Sequence, residues 1–155
     1  YVGDGNNIAN SWINASLTLG FNLRLACPRG YEPDRTIVEM ARSAASSKVQ
    51  FYADPGEAVQ DADVINTDTW VSMGQEDQRR EKIEAFKPYQ VNNALLKLAK
   101  EDALVMHCLP AHRGEEINDE VADGKQAIIF DQAENRLHMQ KSILETLLTQ
   151  KAREK

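Results

Sequence analysis

The chain has 155 residues, 42% apolar and 27% charged, with a formal net charge of −6. A domain of this size builds a core without disulfide or metal staples, and the acidic balance argues against a dedicated nucleic-acid binder. No apolar run approaches the roughly 20 residues of a membrane span, and nothing at the start reads as a secretory signal.

Taken in chain order, "YVGDGNNIANSWINASLTLGFNLRLACP" predicts strand, Gly-rich turn, helix and strand. Ile8, Trp12, Ala15 and Leu19 recur at helical spacing, and Gly20 is placed to stop the helix. Asp34 caps a second helix running to about Ser46, and "KVQFYA" is a third strand. "DPGEAVQDA" opens a short helix, and "DVINTD" is a fourth strand. A helix from about Gln78 to Phe86 follows a polar loop. "VNNALLKLAK" is a further helix capped by Asn92 or Asn93, and "ALVMHCLP" is a fifth strand ending in a loop. Asp131 with Glu134 resembles a capping box at the head of a long final helix, in which Ala133, Leu137, Leu144 and Leu148 share a face.

Strands alternating with helices in this way predict one α/β domain, a doubly wound, Rossmann-like, mostly parallel five-stranded sheet with helices on both faces. Ligands of such sheets bind beyond the carboxyl ends of the strands. Three chemically unusual segments fall there: "GDGNN", "DTWVSMG" and "HCLP". The chain opens on "YVGDG" without Met, as if within a strand already under way, and reads as an excised domain.

Each segment has a structural and a functional reading. In "GDGNN" the third glycine of a dinucleotide loop is missing, so a tight turn with Asn6 or Asn7 as helix cap competes with an anion site at Asn7. Asp68 is either a turn residue or the partner of a cationic amine. Ser72 is a cap or part of a mobile loop with Met73 and Gly74. Cys108 is a small buried hydrophobe or, beside His107, a low-pKa thiolate. The Leu109–Pro110 bond is a candidate cis peptide. Arg136 is a solvated helical residue or a donor to a phosphate or carbonyl oxygen. His107 reads as structural support, and His112 and Arg113 carry no assigned role. Cys27 and Cys108, each closing an apolar run, indicate a reducing compartment, read as the cytoplasm with an organelle matrix as the alternative.

"DTWVSMGQE", "HCLPAHRGEE", "FDQAENR" and "RGYEPD", with the "GDGNN" opening, together resemble the ornithine carbamoyltransferase family over essentially the whole chain. The resemblance implies transfer of a carbamoyl group from carbamoyl phosphate to the δ-amine of L-ornithine, without metal or organic cofactor. It implies ornithine contacts at Asn7, Asp68, Ser72 and Met73, and carbamoyl phosphate contacts at Cys108, Leu109 and Arg136. Cys108, Asp68 and Arg136 fall on its catalytic positions. The Ser-x-Arg-Thr and His-Pro-x-Gln segments of the family's first, carbamoyl phosphate domain are absent, so residues 1–155 are expected to be the ornithine-binding domain alone, inactive by itself. The family's homotrimer, or a multiple of it, is built mainly through that other domain. Leu144, Leu147 and Leu148, which pack on it in the family, are expected to lie exposed. Two alternatives stay open: a carbamoyltransferase for putrescine or an acylated ornithine, and a non-catalytic Rossmann-type ligand-binding module.

Overall fold

The computed structural model describes residues 1–45, 47–71 and 79–153, the last four by backbone alone. Helix α1 spans Asn7–Leu19. The Asn6 side chain caps its start by accepting from the amides of Ile8 and Ala9, and Gly20 ends it in the left-handed conformation at φ 78°. These are the two termini that cost a helix least. Strand β1 (Leu23–Ala26) pairs in parallel with β2 (Val49–Tyr52), across α2 (Arg35–Ser43). Asp34 caps α2 as expected. After α3 (Pro55–Val59), β3 (Val64–Thr67) pairs in parallel with β4 (Leu104–His107), with α4 (Arg79–Phe86) and α5 (Asn93–Leu96) between them. Short α6 (Asp119–Ala122) and long α7 (Ile129–Arg153) complete the chain.

The expected continuous five-stranded sheet is not what the ladders form. Among the described residues there are two parallel pairs, and the first predicted strand is reduced to a bridge at Val2. That bridge nonetheless joins the pairs. The Val2 amide donates to Asn66 O at 3.0 Å, Ala26 N donates to Tyr1 O at 2.9 Å, and Gly3 N donates to Ala26 O at 3.0 Å. On the outer side of β4, Val105 exchanges backbone bonds with Gln126 and Ile128. The strand ends that follow Val2, Thr67 and His107 are thereby brought side by side.

The main core gathers Val2, Ile65, Val91, Val105, Ile117 and Ile129, all essentially excluded from solvent, and a second core places Ile13 and Ala9 of α1 on Leu25. Helix α7 departs from expectation at its head. It begins at Ile129, so Asp131 lies in its first turn and does not cap it. Its apolar face stays bare: Leu144, Leu147 and Leu148 are exposed, as are Leu137 and Ile143. No helix among the described residues is long and apolar enough to cross a membrane.

Candidate functional site

The turn after Val2 is built around a close approach. A Cβ on Gly5 would lie 2.2 Å from the Glu32 carbonyl carbon and 2.3 Å from Pro33 N. The Gly5 amide donates to Tyr31 O at 2.9 Å. The chain segment at 31–33 therefore packs against the face of Gly5 that a side chain would occupy. Asp4 turns inward and meets Lys82 Nζ of α4 at 2.5 Å, with the ammonium also over the rings of Tyr31 and Phe86. Burial raises the Asp4 carboxyl above its usual value, although Lys82 pulls the other way.

The turn then presents Asn6. Its Oδ1 caps α1, while its Nδ2 donates to Asp68 Oδ2 at 2.6 Å. Asp68 follows β3 and is buried. Its other oxygen, Oδ1, accepts the Cys108 thiol at 3.1 Å. One carboxylate thus joins the ends of the Val2 segment, β3 and β4. A carboxylate offers about four acceptor directions, and these two donors leave room for a third.

Cys108 departs from the thiolate expectation. Burial first, then the hydrogen bond to Asp68 and its charge, push the thiol up to about 12, and the nearby positive charge of Arg136 only partly opposes them. The ring nitrogens of His107 are engaged elsewhere: its Nδ1 accepts the Leu109 amide at 2.9 Å, and its Nε2 meets Glu116 Oε1 at 3.1 Å. Leu109 holds φ 57° and the Leu109–Pro110 bond is cis, as foreseen.

Of the residues singled out in the sequence, Asp68, Cys108 and Leu109 converge. Arg136, exposed on the second turn of α7, lies within electrostatic reach of the thiol. Asn7 is exposed at the first position of α1. Ser72, Met73 and Gly74 lie outside the described residues. Asn6, read from the sequence only as a helix cap, reaches Asp68, and Glu116, not singled out at all, reaches His107. "NN" before a helical pattern does signal a cap, and the donor face of that amide is the clue to Asn6. Nothing in "RGEE" separates the buried Glu116 from a solvated charge run.

His112, Glu115 and Glu116 also approach one another closely enough to offer ligand atoms to one ion. However, Glu115 is already paired with Arg79 and Glu116 with His107.

A family model described as aspartate/ornithine carbamoyltransferase, Asp/Orn binding domain, matches residues 1–147. The ornithine carbamoyltransferase of Syntrophus aciditrophicus is 59% identical over 148 residues, covering 96% of this chain and 49% of that protein. That of Archaeoglobus fulgidus is 55% identical over 148 residues, covering 96% and 48%. Among solved structures, the ornithine carbamoyltransferase of Pyrococcus furiosus superposes with a TM-score of 0.86 at 50% identity, covering 93% of this chain and 47% of that one. The anabolic enzyme of Campylobacter jejuni superposes at 0.88 and 39% identity, covering 96% and 50%. The chain spans about half the length of the curated relatives it matches. Matched from its first residue to its 147th, the chain belongs to the aspartate/ornithine carbamoyltransferase family, in the Asp/Orn-binding domain.

Proposed function

We propose that this chain is the ornithine-binding half of an ornithine carbamoyltransferase, with a separate carbamoyl phosphate domain supplying the phosphate grip. The observation that carries this reading is the Asp68 carboxylate, shared by Asn6 and Cys108 at adjoining strand ends. A buried carboxylate with acceptor capacity to spare is suited to an alkylammonium. Asn7 begins α1, and its exposed side-chain amide can donate to the carboxylate of an amino acid at the positive end of the helix. Ser72 and Met73 complete the ornithine contacts on this reading, and Cys108, Leu109 and Arg136 meet the carbamoyl group.

The δ-ammonium must lose a proton before its nitrogen attacks the carbamoyl carbon. Asp68, which already accepts the thiol hydrogen of Cys108, orients that amine and draws its proton outward. The C–N bond forms, the bond from carbon to the phosphate oxygen breaks, and the departing phosphate takes the second proton that the nitrogen then sheds. Arg136 faces the negative charge that develops on the carbamoyl and phosphate oxygens. The longer protein assembles as a homotrimer or a multiple of one.

The test is citrulline formation from ornithine and carbamoyl phosphate by the enzyme that carries this chain, together with a thermal-shift comparison of the chain alone. Ornithine or norvaline is expected to raise the melting temperature, whereas putrescine and NAD are not. A shift with NAD alone, or citrulline formation unaffected by Asp68→Asn, overturns the reading.

A further inference from the structure

Glu116 is fully buried, yet it lies in a charged stretch of sequence, and its hydrogen bonds go to His107 and His112 rather than to Asp68 or Cys108. Its Oε1 accepts from two donors, His107 Nε2 at 3.1 Å and the His112 backbone amide at 2.5 Å, and its Oε2 has no hydrogen-bond partner among the described residues. Burying a carboxyl with one oxygen unmatched is unfavourable. What the carboxyl does hold is specific.

The Leu109 amide donates to His107 Nδ1, so the hydrogen of the neutral ring belongs on Nε2, where Glu116 accepts it. The ring is thereby fixed in one tautomer and one orientation. Its Nδ1 in turn holds Leu109 at φ 57°, a conformation that L side chains rarely adopt and that persists only when the surroundings impose it. The same oxygen of Glu116 grips His112, so one carboxylate ties both ends of the loop 107–112. Cys108 and Leu109 lie inside that span.

We propose that Glu116 is a positioning residue, which through His107 sets the backbone of Leu109 and the place of the Cys108 thiol against Asp68. This deepens the function proposed above and rests on it only for its kinetic readout. The outer part of the loop has supports of its own. Gln90 Nε2 donates to the carbonyls of Gly114 and Glu115, Arg113 pairs with Asp119 and Asp123, and Val91 N donates to Glu116 O. Replacing the Glu116 side chain therefore loosens the site end of the loop without releasing the rest.

The experiment compares Glu116→Leu, Glu116→Gln and His107→Asn in the enzyme that carries this chain. Glu116→Leu removes both bonds, and kcat is expected to fall on the order of 100-fold, the loss typical of a misplaced reacting group. The KM for ornithine changes little, because Asn7 and Asp68 are untouched. Glu116→Gln presents an amide oxygen to the same two donors and restores kcat to near the parent value. His107→Asn keeps an acceptor for the Leu109 amide and falls between the two. A folded Glu116→Leu enzyme with parent kcat, or a Gln variant as impaired as Leu, overturns the proposal.

If Glu116→Leu does not fold, His107→Asn against His107→Leu decides. Partial recovery by Asn alone supports the proposal, and equal loss overturns it. A parent enzyme that makes no citrulline overturns the function and not this inference, which the chain itself then tests. Alkylation of Cys108 by iodoacetamide is expected to accelerate in Glu116→Leu and not in Glu116→Gln, and an unchanged rate overturns it.

Discussion

The thiol of Cys108 donates to the carboxylate of Asp68 across 3.1 Å, joining two residues that stand 40 positions apart in the chain. This contact ties the end of β4 to the end of β3. After burial, it is the second cause that pushes the thiol up to about 12.

Alkylation reads that arrangement directly, because the thiolate is the reactive species. At pH 8, Cys108 is expected to react with iodoacetamide far more slowly than a free cysteine. Asp68→Asn removes the charge that raises the thiol and leaves only a weaker, neutral acceptor, so alkylation should speed up, as followed by mass spectrometry of the peptide bearing Cys108. Burial, the largest cause, remains in that variant, so the rate stays below that of a free thiol. No acceleration means that Asp68 does not control the thiol.

Alkaline stability follows from the same shifts. Cys27, buried at the end of β1, and Cys108 both move from 9.0 to about 12. The unfolded chain therefore loses these protons first, and stability falls wherever the native state holds more of them. The contribution of the two thiols is complete below pH 9 and is lost as the pH rises toward 12. The urea midpoint is expected to drop between pH 8 and pH 10.5, and to drop less in Cys27→Ala. An equal drop in that variant assigns the alkaline loss to other groups.

The Asp4–Lys82 pair fastens α4 to the Gly-rich turn, with both side chains nearly excluded from water. Lys82→Met strands a buried carboxyl and is expected to cost about 3–5 kcal/mol in denaturant unfolding. Adding Asp4→Asn should recover part of that loss. A double variant less stable than the single one contradicts this account, since it leaves no charge uncompensated.

Gly5 is required by contact and Gly20 by backbone angle. Gly5→Ala drives a methyl into the backbone of Glu32 and Pro33 and is expected to destabilise by about 3 kcal/mol. Gly20→Ala meets open space at φ 78° and should cost roughly 1–2 kcal/mol. Thermal melts of the two variants rank them, and the reverse order would falsify the close-approach explanation of "GDG".

Much of the scaffold was legible because its signals are local. Asp34, Asn92 and Gly20 act at the helix termini where their residue types put them. Long-range contacts account for the failures. Helix α5 stops at Leu96 because the following turn is drawn aside, with Asp61 N donating to Leu98 O and Lys100 N to Ala62 O. "AIIFDQAENR" misplaced the head of α7 because a short apolar run looks the same entering a strand or a helix. In the site, Asp68 and Cys108 stood out individually, but which neighbour governs the thiol did not. Sequence sets His107 beside it, and the fold supplies Asp68.

Asn6 carries a demand that helix stability alone does not explain. Asparagine, aspartate and serine are about equally good at the head of a helix. Of the three, only asparagine can accept from the amides of Ile8 and Ala9 with one atom while offering two N–H donors from another. Serine keeps the helix and cannot span to Asp68 while doing so, and aspartate sets a second anion against it. Capping the helix therefore leaves three options at this position, and reaching Asp68 at the same time leaves one.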